Sequence, residues 1–217
     1  MRPKVCALAT TPRSGTHFLR FTLDNHPHMS WAGEFFRDNI KKNIRETRIH
    51  SYVYNNLSST AIDHFKYVGF VWHLILDADL DYSAVDKFIL LERKNKLAQF
   101  ASLQIAAKTG VWRVPERKPN YKNTEKIEID VEEYFQFLGK DNSTYDEFKK
   151  TGVEYKTVYY EDLCNDFNQT MKSIQKFLEL DYFKIEPGDL QKQEHRPLKE
   201  IITNYEDIKR YDSKKYI

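Results

Sequence analysis

Short apolar segments and longer amphipathic segments alternate along the whole chain. Four apolar segments, at residues 4–10, 28–34, 66–76 and 87–92, have the length and the side-chain types of strands that are mostly buried in a sheet. A fifth segment, EYKTVYY at 154–160, has the same character. Strands that alternate with helices predict an α/β fold with a mainly parallel central sheet flanked by helices.

The segments between and after these strands predict helices. In THFLRFTLDN, which follows the first strand and the turn TPRSG, apolar residues recur at helical spacing, and Thr16 or Ser14 is the candidate N-terminal cap. A second amphipathic helix begins near Leu97 and stops at Gly110. Further helices are expected at about 130–150, at about 161–179 and from Leu198 towards Arg210.

One long segment has no apolar periodicity. RVPERKPNYKNTEK, at 113–126, contains two prolines and many basic residues. We expect a long basic loop there, and such loops inside compact domains are usually functional or disordered. We find no internal repeat, no low-complexity segment and no convincing linker, so residues 1–217 are expected to form a single domain.

Charge and cysteine content limit the classes of function. The chain contains 34 Lys plus Arg and 32 Asp plus Glu, and a net charge of +2 provides no broad field for nucleic acid, so any anion site must be local. The two cysteines, Cys6 and Cys164, match no zinc-ligand spacing. No segment reaches the roughly 18 apolar residues of a membrane span. The apolar run near the N-terminus is too short for a signal peptide, so a cytoplasmic location is expected.

The turn after the first strand has the features of an anion site. TTPRSGTHF combines Gly15, which allows close backbone approach, with N–H groups at a helix N-terminus, and both suit a phosphate. Arg13 adds a permanent cation. The segment is not a Walker A loop, because it has one glycine and no lysine after it. An ordinary capped turn explains this motif equally well when it is taken alone.

A second candidate anion site follows a later strand. In ILLERKNKLAQFASLQ, Arg93 lies at the strand end and Ser102 lies one to two turns into the next helix. The two side chains could hold one phosphate from two sides. The alternative is that Arg93, Lys94 and Lys96 form a solvated surface and that Ser102 is only a small helical residue.

The order and spacing of several motifs resemble the PAPS-dependent sulfotransferases. TPRSGT, LERKNKLAQFAS, VYYEDLCND and RPLKEIITNYEDIK occur in that order, and the closest similarity is to the bacterial trehalose and Nod-factor type carbohydrate sulfotransferases. The resemblance implies a P-loop-NTPase-like three-layer fold. It also implies transfer of a sulfuryl group from 3′-phosphoadenosine 5′-phosphosulfate (PAPS) to a hydroxyl of a small molecule or glycan, with 3′-phosphoadenosine 5′-phosphate (PAP) as product. No metal is implied.

The same resemblance assigns one segment to the reacting end of PAPS. Its backbone would cradle the 5′-phosphosulfate, as the loop after the first strand does in related enzymes. The segment consists of Arg13, Ser14, Gly15, Thr16 and His17.

Other residues are assigned to the nucleotide end. The resemblance implies that Arg93 and Ser102 hold the 3′-phosphate. Phe18 and Tyr160 fall where relatives place aromatic rings near the adenine, although core packing is the alternative for both rings.

Two departures from the family pattern affect the sulfuryl end. His17 replaces a threonine that is common in related loops, and Val71 stands two residues before His73, where many relatives have a lysine. One expected cation is therefore missing. Arg13 must do more of this work, or Lys192 or Arg196 near the C-terminus contributes to it.

Three residues are candidates for the base that removes the acceptor proton. Glu34 ends the second strand, beside the loop of the first strand if the two strands are parallel neighbours, and AGEFF resembles the segment that carries the proposed base of the carbohydrate branch. His73 follows the third strand, where the cytosolic enzymes of the family place a catalytic histidine. We favour Glu34 over His73, and we expect His17 to contact the cofactor.

Two other functions fit parts of the sequence. A P-loop kinase would need a lysine after Gly15 and an aspartate for magnesium, for which Thr16 and Glu92 are weak substitutes. A sulfotransferase-like domain without catalysis is compatible with Val71 in place of lysine. The acceptor and the oligomeric state are not encoded in any motif that we recognise.

Overall fold

A five-stranded sheet forms the centre of this computed structural model, and its strands are β1 (Lys4–Thr10), β2 (Met29–Glu34), β3 (Tyr67–His73), β4 (Lys87–Glu92) and β5 (Tyr155–Tyr159). Neighbouring strands are all parallel, and their order across the sheet is β2-β3-β1-β4-β5. The five predicted strands and the α/β class are therefore confirmed. The structure describes residues 2–34, 64–75, 81–112, 124–187 and 196–212.

Helices follow most of the strands, as the apolar pattern predicts. Within the described residues they are α1 (Thr16–Asp24), α2 (Lys96–Thr109), α3 (Val131–Lys150), α4 (Tyr160–Asn165), α5 (Phe167–Phe177), α6 (Leu198–Ile201) and α7 (Tyr205–Asp212). Gly110 ends α2 in a left-handed conformation with φ 68°, as predicted. Of the predicted basic loop, residues 113–123 lie outside the described part of the chain.

Two predicted helices are each divided in the structure. The helix expected at 161–179 breaks at Asp166, whose φ and ψ of −140° and 61° are not helical. The helix expected from Leu198 breaks after α6, because Ile202 pairs with Ile127 in a parallel bridge. Just beyond, the Asn204 side-chain amide bonds both backbone groups of Ile129. These tertiary bonds replace helical ones and leave no trace in the apolar period.

Alternate strand residues build one apolar core on each face of the sheet. Leu8 of β1 belongs to a core that includes Leu19 of α1, and we call this side the α1 face. Ala7 belongs to the opposite core, which includes Tyr145 and Phe148 of α3, and we call this side the α3 face. The sheet is thus covered by helices on both faces, which gives the three layers of the predicted fold.

The chain divides into two compact units. The first unit, residues 1–94 and 144–188, contains the sheet with both of its cores. The second unit, residues 95–143 and 189–217, is helical and has its own core, with Phe100 among the buried residues. The single domain stays a prediction. No helix in the described part of the chain is long and apolar enough to cross a membrane.

Candidate functional site

The loop between β1 and α1 lies at the carboxyl edge of the sheet, where ligands of open parallel sheets bind. Arg13 and Gly15 both have positive φ, 66° and 94°. Gly15 is the N-terminal cap of α1 and makes no side-chain cap bond, so the expectation that Thr16 or Ser14 caps this helix is wrong. The left-handed backbone at Gly15 turns the chain into the helix, and the Ser14 hydroxyl instead lies 3.4 Å from that of Thr11.

Gly15 is required at its position by an aromatic ring as well as by its backbone angle. A Cβ atom added there would lie 2.3 Å from Cδ2 of Tyr160, far inside van der Waals contact. The Tyr160 ring therefore packs directly on the loop backbone, and burial raises the pKa of its hydroxyl to about 12. The Tyr160 side chain is therefore uncharged at physiological pH, and its ring covers one side of the loop.

Two arginines converge on this loop. Arg93, one residue beyond β4, donates from Nη1 to the carbonyl oxygen of Arg13 at 3.1 Å, and its guanidinium lies 4.8 Å from the centroid of Tyr160. Burial, with the neighbouring charge of Arg93, lowers the pKa of Arg13 to about 10. Burial lowers the pKa of Arg93 also. Two partly buried like charges side by side are the environment that a bound anion would stabilise.

Further polar groups near the loop fit a phosphate. The Thr16 hydroxyl is buried at the first position of α1 and has no hydrogen-bond partner within the described residues. Nε of Arg93 is likewise buried and without a partner in that part of the chain. Helix N-termini also present N–H groups that lack intrahelical acceptors. Phosphate oxygens would satisfy donors of all three kinds.

Tyr145 of α3, which the sequence does not mark as functional, holds the loop from the α3 face. Its hydroxyl donates to the carbonyl oxygen of Leu91 at 2.8 Å and accepts from the Thr11 N–H at 3.2 Å. It also lies 3.0 Å from Oγ1 of Thr11 and 3.3 Å from Oγ of Ser14. One buried hydroxyl therefore joins the loop to the end of β4. From the sequence alone, Tyr145 is recognisable only as an aromatic residue of an amphipathic helix.

Glu34 lies between two histidines at the same edge of the sheet. Its Oε1 is 3.6 Å from Nε2 of His17 and 3.4 Å from Nε2 of His73. The three side chains are only 21%, 29% and 17% exposed, respectively. The structure thus brings the base candidates Glu34 and His73 into one cluster with His17 of α1.

The route by which Glu34 reaches this cluster differs from our expectation. Strand β2 pairs with β3 and is not a neighbour of β1. Glu34 approaches His17 because both lie on the α1 face, where helix α1 packs over the sheet.

The remaining predicted residues of the sheet unit are built into its packing. Phe18 is partly buried against the core of the α1 face, with its ring 6.1 Å from that of Phe167. Val71 is 1% exposed and belongs to the same core. An apolar side chain therefore stands at the position where the sequence resemblance led us to expect a lysine.

Two predicted residues belong to the helical unit. Ser102 is a partly buried residue of α2. Arg196 donates from Nη2 to the carbonyl oxygen of Glu125 at 2.9 Å. Arg93 and Ser102 belong to different units, so their joint grip on one phosphate stays a prediction. Lys192 lies outside the described residues.

Solved structures with a similar fold are sulfotransferases. A sulfotransferase from Alicyclobacillus acidocaldarius aligns with a TM-score of 0.56 and 15% identity, over 89% of this chain and 87% of that chain. Mouse sulfotransferase SULT7A1, solved in complex with PAP, aligns with a TM-score of 0.52 and 15% identity over 84% of this chain. The alignment spans 60% of the mouse chain.

A sulfotransferase domain from the curacin biosynthetic pathway aligns with a TM-score of 0.50 and 17% identity, over 87% of this chain and 77% of that domain. Neither a protein-family model nor a curated protein matches the sequence. At such low identities the similarity establishes the fold, and the predicted fold class is confirmed. This chain has the P-loop-like α/β fold that sulfotransferases share.

Proposed function

We propose that this chain is a sulfotransferase, which transfers the sulfuryl group of PAPS to a hydroxyl of an acceptor. The observation that carries the proposal is the placement of a carboxylate, Glu34, between two histidines and beside a loop that contains the partly buried Arg13 and is contacted by the partly buried Arg93. A base for the acceptor hydroxyl and a site for a leaving phosphate are the two requirements of this reaction, and the chain supplies both at one edge of its sheet.

The loop residues would hold the 5′ end of PAPS. When bound there, PAPS supplies the sulfuryl group and a phosphate as leaving group. The Arg13 guanidinium, the Thr16 hydroxyl and the N-terminal N–H groups of α1 would stabilise the charge that develops on that phosphate. Because Val71 provides no cation, we assign this stabilisation chiefly to Arg13.

The surroundings of the same loop also support an assignment of the residues that would bind the nucleotide end of PAPS. In this proposal Arg93 holds the 3′-phosphate together with Ser102, and Tyr160 lies against the nucleotide. Phe18 and Arg196 are further contacts by similarity to the family. The convergence of Arg93 on Tyr160 and on the loop carbonyl of Arg13 supports a nucleotide site at this point.

We assign proton removal to Glu34 and orientation of its carboxylate to His73. Nε2 of His73 lies 3.4 Å from Oε1 of Glu34, which is slightly long for a hydrogen bond and close enough to tighten when substrate binds. The second oxygen of Glu34 would then accept the proton of the acceptor hydroxyl. A carbohydrate is the acceptor class that we propose.

Paired substitutions test the assignment of the base. Glu34→Gln is nearly isosteric, so we expect PAP affinity to be kept and the rate to fall about 10²–10⁴-fold. His73→Asn should have a smaller effect, since it removes only an orienting contact. Glu179→Gln is the matched control, because this carboxylate is 60% exposed, pairs with Lys4, and lies away from the cluster.

Rates and nucleotide binding together distinguish four outcomes. Near-normal turnover by Glu34→Gln together with an inactive His73→Asn would exchange the two roles. Full activity in both variants would contradict the site. Binding of ATP with magnesium in preference to PAP would favour a kinase, and PAP binding without turnover of PAPS would favour a sulfotransferase-like domain without catalysis.

A further inference from the structure

Strand β2 contains one extra residue relative to its neighbour. Trp31 is in register with Gly69 of β3, whereas Glu34 is in register with Val71. Three steps along β2 therefore correspond to two steps along β3, which is the geometry of a β-bulge. Gly33, within this bulge, has a φ of 89°.

The bulge decides which face of the sheet carries Glu34. Side chains of a regular strand alternate between faces, so Glu34 would lie on the face opposite to Trp31. Trp31 belongs to the core of the α1 face, whereas Ala32 packs against the core of the α3 face. A regular strand would therefore direct Glu34 towards the α3 face. One extra residue reverses the alternation and brings the carboxylate to His17 and His73.

The strand cannot remove the extra residue by slipping along β3. A Cβ atom on Gly69 would lie 2.6 Å from the indole of Trp31, so this indole covers the glycine and fixes the register. The backbone N–H of Trp31 also donates to Oδ1 of Asp24, at the end of α1, at 2.8 Å. Both contacts hold the strand directly before the bulge. A change of backbone conformation at Gly33 would therefore displace Glu34, which follows it.

The backbone angle, and not the available space, makes glycine important here. Among the described residues, the only atom within 4 Å of a Cβ added to Gly33 is Nη1 of Arg20 at 3.3 Å, and it is the end of a flexible side chain. A φ of 89° is readily adopted by glycine, is tolerated best among other residues by asparagine and aspartate, and is unfavourable for alanine and for β-branched residues.

We propose that Gly33 is a positioning residue for the reaction, because its bulge sets the face on which the Glu34 carboxylate lies. The proposal rests on the proposed function of Glu34 as the base. Gly33 has no reactive group, but in this proposal it helps to determine the rate of the reaction.

Kinetics of Gly33 variants test this role. Gly33→Ala should lower kcat about 10²-fold, the typical effect of displacing a catalytic group by roughly 1 Å, and should leave PAP affinity unchanged. Gly33→Asn should retain more activity than Gly33→Ala, and Gly33→Val should retain less. Gly152→Ala is the matched control, since Gly152 also has a positive φ, 74°, and no described atom lies within 4 Å of a Cβ added there; it lies between α3 and β5 in the same unit.

A double variant separates positioning from general destabilisation. If Gly33 acts only through Glu34, Gly33→Ala combined with Glu34→Gln should be no slower than Glu34→Gln alone, within about twofold. A further loss of tenfold or more in the double variant, or full activity in Gly33→Ala, would overturn the proposal.

A measurement that needs no turnover keeps the test independent of the proposed function. The imidazole resonances of His17 and His73 should shift in Glu34→Gln, and Gly33→Ala should reproduce that shift while Gly152→Ala does not. If the protein never consumes PAPS but the shifts agree, the proposed reaction fails and the bulge keeps its role in placing Glu34. If Gly33→Ala leaves both resonances unchanged, the bulge does not position the carboxylate.

Discussion

Removing the hydroxyl of Tyr145 should loosen the loop between β1 and α1, and Tyr145 itself has no proposed contact with PAPS. Tyr145→Phe keeps the ring, which packs in the core of the α3 face. It deletes the donor to the Leu91 carbonyl and the acceptor of the Thr11 N–H. The loop would keep the bond from Arg93 to the Arg13 carbonyl oxygen and lose the link from Thr11 through this hydroxyl to Leu91.

The size of the effect follows from which partners are left. The Leu91 carbonyl also accepts from Oγ1 of Thr10 at 3.0 Å, so it keeps a partner. The Thr11 N–H and the Leu91 carbonyl each lose their bond to this hydroxyl, and a hydrogen bond contributes about 0.5–1.5 kcal/mol. At about 2 kcal/mol, the melting temperature should fall by roughly 4–8 °C for a chain of this size.

Thermal unfolding and calorimetry measure the two consequences. We expect the lower melting temperature together with PAP binding weakened about fivefold, which corresponds to about 1 kcal/mol of added loop ordering. Tyr155→Phe is the matched control, because Tyr155 is a partly buried tyrosine against the same core. Equal melting temperatures for the Tyr145 and Tyr155 variants would refute the idea that this hydroxyl fixes the loop.

Three other predictions concern Arg13, Arg93 and the two cysteines. Arg13→Ala should lower kcat more than it raises KM, with partial recovery in Arg13→Lys, and an unchanged kcat would contradict its role at the leaving phosphate. Arg93→Ala should weaken PAP binding about 10–150-fold, from a lost charge-assisted bond of about 1.5–3 kcal/mol, and AMP binding much less; equal losses in titration calorimetry would remove Arg93 from the 3′-phosphate. One thiol should react rapidly with a disulfide reagent in the native protein, since Cys164 is exposed, whereas burial raises the pKa of the Cys6 thiol. Two fast thiols would show that the core around β1 opens readily.

The parts of the fold that depend on local periodicity were predictable. Strands such as β4 are continuous apolar runs, and buried parallel strands require that composition on both faces. The end of α2 at Gly110 was predictable for a similar reason, since a left-handed residue ends a helix most easily at glycine.

The parts that depend on tertiary contacts were not predictable from the pattern. Nothing in the sequence near Glu34 reveals that β2 lies beside β3, because strand order is set by packing far along the chain. In the sequence, the bulge shows only as one glycine directly before Glu34. It changes the sheet face on which Glu34 lies without changing the apolar period of the strand. Tyr145 acts through a hydroxyl that a hydrophobicity pattern treats only as part of an aromatic residue.

The candidate site also has a part that the sequence predicts and a part that depends on tertiary contacts. The motif around Gly15 indicates an anion site because the residue types themselves carry the chemistry, and the structure adds that Arg93 and Tyr160 lie against this loop. The likeness to sulfotransferases also marked Glu34 and His73, but as rivals. The distance between Oε1 of Glu34 and Nε2 of His73 is the reason why we propose one as the base and the other as its orienting residue, and no sequence spacing reveals that distance.

The most direct test of the account is the fate of a radiolabelled sulfuryl group on PAPS, incubated with the protein and a panel of carbohydrate hydroxyl acceptors. The account predicts that PAP and labelled acceptor form in equal amounts, and that Glu34→Gln abolishes both while it still binds PAP. Absence of any PAPS consumption, together with phosphoryl transfer from ATP to an acceptor, would contradict it.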